Sequence, residues 1–187
     1  MPVVELHLLE GYAPEAKRRL GEAITDAVRL VVPAAPDAVT VMIHELGDGA
    51  YLRGRAPRSP APALPDPAQT VLDYLGAMER RDLDAARALL AEGFEMRFPG
   101  APVMTTLEAL IAWSAPRYRS VRKTHEGLDV APGPEATVVH CRGTLSGEWP
   151  DGAPFEGIRF TDRFELRGGL IARQDVWNDL AEARAAR

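Results

Sequence analysis

Five prolines fall within Gly54-Arg55-Ala56-Pro57-Arg58-Ser59-Pro60-Ala61-Pro62-Ala63-Leu64-Pro65-Asp66-Pro67. Each locks φ near −65° and lacks a backbone N–H, so neither a helix interior nor a central strand runs through such a stretch. Mixed with alanine, these prolines favour an extended, semi-rigid connection. The chain of 187 residues therefore reads as two small domains, 1–54 and 68–187, joined by a linker over 55–67.

Composition narrows the function classes. Hydrophobic residues at 46% and charged residues at 26% are those of a globular chain with a packed core. Formal net charge is −5, with 7 basic and 8 acidic side chains in 1–60 and 15 and 19 in 61–187. Neither half carries the basic footprint that a phosphate backbone demands, so nucleic acid is excluded as a partner. Cys141 is the single cysteine, which leaves no disulfide framework and no CxxC pair. His7, His44, His125 and His140 lack ligand spacing, so no metal is expected, and no cofactor. No apolar run is long enough to span a bilayer, and Glu5 and Glu10 bracket the first apolar stretch, unlike a secretion signal. The expectation is a soluble, cytoplasmic protein.

The first domain reads as strand, helix, strand. Residues 2–9 read as a strand, and Pro14 opens a helix over 15–32. Its stripe is Leu20, Ile24, Ala27, Val28 and Val31, with Lys17, Arg18, Glu22 and Asp26 outward. Pro33 and Pro36 end it. Asp37 then precedes a second strand, Val39 to Glu45, and Gly47-Asp48-Gly49 turns the chain toward Tyr51. A long crossover between two strands implies that they are parallel. Such a two-stranded unit cannot bury enough surface alone, so it must associate with copies of itself or with the rest of the chain. Pro2 is small enough for Met1 to be trimmed. Its nitrogen would then be a secondary amine titrating at about 7.7–8.0, suited to proton transfer near neutral pH.

The second domain reads as helices first and an antiparallel sheet afterwards, an α+β arrangement. Helices are expected over 68–80, with Val71, Tyr74, Leu75 and Met78 inward, and from Asp82 to about Leu90. Thr105-Thr106-Leu107-Glu108 offers a capping box for a third. Strands follow at 94–98, 121–130, 135–147, 156–167 and 170–178. Alternation on 156–167 aligns Ile158, Phe160, Asp162, Phe164 and Leu166 on one face. A carboxyl between two phenylalanines on a buried face should have a raised pKa. On 135–147, His140, Arg142 and Thr144 share a face opposite Val139, Cys141 and Leu145.

Residues 2–54 resemble the 4-oxalocrotonate tautomerase family. The carrying residues are Pro2, Leu9-Glu10-Gly11, the single helix, Val39-Thr40-Val41-Met42-Ile43-His44-Glu45 and the aromatic past a glycine turn. The resemblance implies that Pro2 shuttles a proton between carbon and oxygen of a small carbonyl or enol compound. It also implies a homo-oligomer built on dimers, up to a hexamer. The family's substrate-gripping arginines are absent: Tyr12 and Thr40 stand at those positions, Tyr51 keeps the pocket-closing aromatic, and Arg53 or Arg55 could supply a cation from nearby. Neither Tyr nor Thr grips a carboxylate bidentately, so a less charged substrate is expected.

Residues 68–182 resemble the nuclear-transport-factor-2-like superfamily, which includes ketosteroid isomerase and the SnoaL-like polyketide cyclases. Tyr74-Leu75-Gly76-Ala77-Met78-Glu79-Arg80-Arg81-Asp82-Leu83-Asp84, Phe160-Thr161-Asp162-Arg163-Phe164 and Gly168-Gly169-Leu170-Ile171 carry it. The implied fold is a cone-shaped barrel, a curved sheet wrapped round helices with one apolar pocket. By this resemblance Asp162 and Tyr74 match an oxyanion hole, while the general base falls at Phe98. Arg142 aligns with an arginine of limonene-epoxide-hydrolase-like members, and His140 accompanies it, but the paired aspartates of those enzymes are unmatched. Three readings stay open: a fused tautomerase/isomerase using Pro2, a small-molecule-binding protein whose first part only oligomerises, and a cyclase or isomerase acting around Asp162 alone.

Overall fold

The structure, a computed structural model, describes residues 1–186. It divides into two compact units, Met1–Ala63 and Leu64–Arg187.

In the first unit, strand β1 (Val3–Leu9) pairs in parallel with β2 (Thr40–Leu46), Val3 opposite Thr40 and Leu9 opposite Leu46. Helix α1 (Pro14–Arg29) makes the crossover, with Pro14 in its first turn, where a missing N–H costs nothing. Leu20, Ile24 and Val28 of α1 and Val4, Leu6, Val41 and Ile43 of the strands are half-buried. A Lys17–Glu45 ion pair of 2.8 Å ties α1 to β2. Two expected stripe residues, Ala27 and Val31, are exposed instead. A sheet two strands wide covers only a narrow arc of helix. Val31 moreover lies past the helix end, because Pro33 biases the chain before it away from helical geometry.

The proline-rich seam is less uniformly extended than its composition predicts. Strands β3 (Leu52–Arg53) and β4 (Ala56–Pro57) form a minimal hairpin across Gly54 and Arg55, whose φ values of 62° and 67° fit a primed two-residue turn. Further on, Pro65 lies so close to Gly169 that an added Cβ there would come within 2.6 Å of its Cδ.

The second unit begins with α2 (Pro67–Arg80), α3 (Leu83–Ala88), β5 (Leu90–Arg97) and α4 (Leu107–Ser114). It continues with β6 (Ser120–Pro132), β7 (Thr137–Glu148), β8 (Pro154–Arg167), β9 (Leu170–Asn178) and α5 (Leu180–Ala185). The sheet order is β5-β9-β8-β7-β6. Neighbours are antiparallel except β5 and β9, which run parallel. The edge strands β5 and β6 do not pair with each other, so the cone is an open curved sheet and not a closed barrel. Thr106 alone caps α4, accepting from the Ala109 N–H at 3.2 Å. The expected capping box does not form because Thr106, and not Thr105, is the N-cap, which leaves Glu108 one residue short of the reciprocal position; Glu108 accepts instead from Arg87 at 2.5 Å. The sheet's inner face carries the core: Phe164, Val139, Cys141 and Ile171 are fully buried, with Val71, Tyr74 and Leu107 packed over them from the helices.

Candidate functional site

Strand alternation builds the floor of the site. On β8, Ile158, Phe160, Asp162, Phe164 and Leu166 all turn inward and are buried, as the sequence pattern predicts. The register sets Asp162 opposite Cys141 on β7 and opposite Val176 on β9, both of which are also buried. The edge strand β6 brings Lys123 to the same face, opposite Leu145. Lys123 Nζ donates to Asp162 Oδ2, and the same oxygen accepts from Gln174 Nε2 at 3.1 Å. Asp162 has no solvent exposure, whereas the Lys123 side chain keeps 20%. The ammonium also sits 4.5 Å from the centroid of the Phe160 ring, a cation–π contact. The carboxyl that the sequence sets between two phenylalanines is thus held by an ion pair that sequence reading missed.

Above this floor lies a cavity of about 450 Å³, walled by Phe98, Trp113, Tyr118, Leu145, Trp149 and Phe160 and edged by α5. Phe98 and Trp113 pack at 5.4 Å between centroids, and Arg117 lies over the Trp113 ring at 3.8 Å. Two buried side-chain polar atoms here have no hydrogen-bond partner among the described residues, Trp113 Nε1 and Asp162 Oδ1. Both residues line this cavity. A buried donor or acceptor without a partner costs roughly 1–3 kcal/mol, so each atom would gain from a polar group bound beside it. A second cavity of about 430 Å³ shares Phe98, Tyr118, Val121 and Lys123 as walls and adds Tyr74, His125 and Gln174.

Tyr74 and Asp162 do not converge directly. The Tyr74 hydroxyl donates to Gln174 Oε1 at 3.2 Å, and Gln174 passes the link to Asp162. Burial, then the nearby Asp162 charge, pushes the Tyr74 phenol well above its ordinary range, so it remains a donor. Gln174 thus links Tyr74 to Asp162, and the two side chains do not bond each other. Phe98 is a wall of both cavities, in keeping with an apolar group where the resemblance has a base. His140 and Arg142 are exposed on the opposite face of β7, and Arg142 pairs with Asp129 at 2.5 Å. Neither lines either cavity, and the reason is strand alternation: Cys141 between them is the inward residue.

In the first unit the expected site residues divide between the two ends of the sheet. Pro2 and Thr40 meet at the start of the strands, where the Thr40 N–H donates to the Pro2 carbonyl at 3.0 Å. Tyr12 follows the far end of β1, and Tyr51 and Arg53 follow the far end of β2. Seven-residue strands span about 23 Å. Within one copy the two groups do not come together. Tyr51 and Arg53 are exposed, and the depression found on this unit is lined by α1, Pro36 and Val41 instead.

Lys123, Gln174, Trp113 and α5 were not legible as site elements beforehand. Inward alternation of Val121 and Lys123 on β6 was the available signal for the lysine. Among the described residues no three His, Cys, Asp or Glu side chains converge as metal ligands. No described helix is long and apolar enough to cross a membrane.

Comparison with known proteins agrees with both halves. Residues 71–174 match the SnoaL-like domain family, and residues 2–56 match the tautomerase enzyme family. A probable tautomerase of Halalkalibacterium halodurans is 37% identical over 51 residues, 27% of this chain and 84% of that protein. An NTF2-like protein of Burkholderia pseudomallei superposes with a TM-score of 0.54 at 18% identity, over 65% of this chain and 97% of its own. Another, from Burkholderia thailandensis, gives 0.53 at 22% identity, over 66% and 99%. With more than half its length in the first match and its opening segment in the second, the chain belongs to the SnoaL-like family and carries a tautomerase-family domain at its N-terminus.

Proposed function

We propose that the protein is an isomerase-type enzyme acting on a small, largely apolar carbonyl or enol compound, with Asp162 as its proton-transfer group. Tautomerase and SnoaL-like families are typically isomerases, which supports the reaction class. The observation that carries the reading is a fully buried carboxylate whose Oδ1 has no partner among the described residues, in an aromatic-walled cavity. Lys123 and Gln174 hold Oδ2, which leaves Oδ1 as the acceptor for a proton on bound substrate. Aromatic walls exclude water and favour a flat ligand; Trp113 Nε1 can donate to its oxygen. In this reading 1–54 is the tautomerase-like domain, 55–67 the linker and 68–187 the pocket domain. Pro2, once Met1 is removed, performs keto–enol transfer on the same or a related metabolite.

Asp162→Asn is expected to lower kcat by about 10²–10⁴ on an enolisable aryl ketone, the usual worth of a positioned acid–base group. Full turnover in that variant would overturn the assignment. Acetylating the Pro2 amine should separately abolish enol–keto conversion of a phenylpyruvate-type substrate, while Tyr51→Phe only weakens it. A second reading has a specific observation behind it: no side chain of Met1–Ala63 is buried, and Pro2 lies a strand's length from Tyr12. The first unit would then serve assembly only. Unchanged turnover after Pro2 is blocked would favour it.

A further inference from the structure

The chain contains two lysines against twenty arginines. Wherever a surface cation is wanted it is almost always arginine, yet the cation at the floor of the aromatic cavity is Lys123. An ion pair needed only for packing would be better made by arginine, whose planar fork binds a carboxylate through two parallel hydrogen bonds. Arginine, however, cannot be deprotonated in a protein, while a lysine amine can become a nucleophile. The other lysine, Lys17, is spent on the Glu45 pair of the first unit.

We infer that Lys123 forms a covalent imine with the carbonyl group of an aryl ketone or aldehyde bound in this cavity. The inference rests on the proposed carbonyl chemistry of the pocket and goes beyond it by naming the nucleophile. Asp162 accepts one proton from the Lys123 ammonium, which frees the amine lone pair. The amine attacks the carbonyl carbon, the C=O π electrons move to oxygen, and a proton passes from nitrogen to that oxygen, giving a carbinolamine. Asp162 then returns its proton to the departing hydroxyl. Water leaves, and a C=N⁺–H bond remains beside the regenerated carboxylate. In sum, ammonium plus carbonyl gives iminium plus water, with no oxidant or reductant. The iminium draws electrons from the adjacent carbon and acidifies its C–H bonds, which is what an isomerase of carbonyl compounds requires. Phe160, 4.5 Å from Nζ, supports the cation before and after the step.

The test incubates the full-length protein with phenylacetone and sodium cyanoborohydride, followed by intact mass and peptide mapping. One reduced adduct on the peptide holding Lys123 is expected. It should persist in Lys17→Arg and vanish in Lys123→Arg, which keeps the charge and the fold. Exchange of the ketone's α-hydrogens for deuterium should be lost in the same variant. Quenching of tryptophan fluorescence by phenylacetone alone reports occupancy, since Trp113 and Trp149 wall the cavity. Saturable quenching with no adduct, or with the adduct on Lys17 or the amino terminus, would overturn the imine and leave the pocket reading standing. Neither quenching nor adduct would overturn both.

Discussion

A buried carboxylate is costly unless its charge is balanced and its oxygens are partnered, and Asp162 meets only part of that demand. A buried ion pair often contributes less than apolar side chains of equal volume, whereas removing one partner costs about 3–5 kcal/mol. Lys123→Met alone should therefore lower the urea unfolding free energy by about that amount. The pair of changes Lys123→Met and Asp162→Leu should restore it or exceed the parent by about 1–4 kcal/mol, with activity gone. A double variant as unstable as the single one would mean that the pair is kept for structure and not for chemistry. Cys141, next to Asp162 across β7 and β8, offers a pH test. Burial pushes its thiol up to about 11, with Asp162 adding to the rise and Lys123 opposing it. In the unfolded chain a thiol titrates at about 8.5, so the unfolded state loses its proton first. This contribution to stability is whole below about pH 8.5 and is lost as pH climbs toward 11. The urea midpoint should thus fall less between pH 8 and 10.5 in Cys141→Ala than in the parent. Asp162 was legible because period-2 alternation is unambiguous on a strand with one wet face. Lys123 was not, because a lysine on an edge strand reads as solvated until its cross-sheet neighbour is known.

Secondary structure was most legible where the backbone needs a special residue. Gly168 and Gly169, with φ of 59° and 86°, make the two-residue turn from β8 to β9, and the strand limits read from sequence at that turn agree with the structure. Less legible were elements whose existence depends on distant partners. β5 begins at Leu90, where a helix end was expected, because Leu90 pairs with Ile171 of β9. The short α5, which edges the cavity, carries no strong periodic signal in six residues. Helix starts follow local chemistry. Asp66 accepts from the N–H groups of Ala68 and Gln69 at 2.9 and 3.4 Å and so caps α2, the helix that carries Tyr74. Asp66→Ala should cost roughly 1 kcal/mol of unfolding free energy by urea titration. A loss well under half of that would show that Pro67 and tertiary packing alone hold the helix start.

At the scale of the whole molecule the two units differ in what they can sustain alone. Leu64–Arg187 wraps a long sheet around a core containing Tyr74, Phe164, Met96 and Ile171. Met1–Ala63 has no buried side chain at all among the described residues. One face of its two-stranded sheet meets α1; the other presents Val3, His7, Met42 and His44, with the two histidine rings stacked at 5.1 Å. Two strands and a helix fall short of the burial that offsets chain entropy. Tautomerase-family proteins are typically oligomers, and association of that kind would cover such a face. The same step would serve the proposed site of Pro2 and Tyr12, since copies would bring together groups that one copy holds about 23 Å apart. A fragment of residues 1–63 should accordingly show helical circular dichroism that rises with concentration, in step with the sedimenting mass. A fragment of residues 64–187 should unfold in one cooperative transition whose midpoint owes nothing to the first unit. Concentration-independent helicity in a monomeric 1–63 fragment would refute the argument, because a unit that folds alone has no need of copies to complete its core.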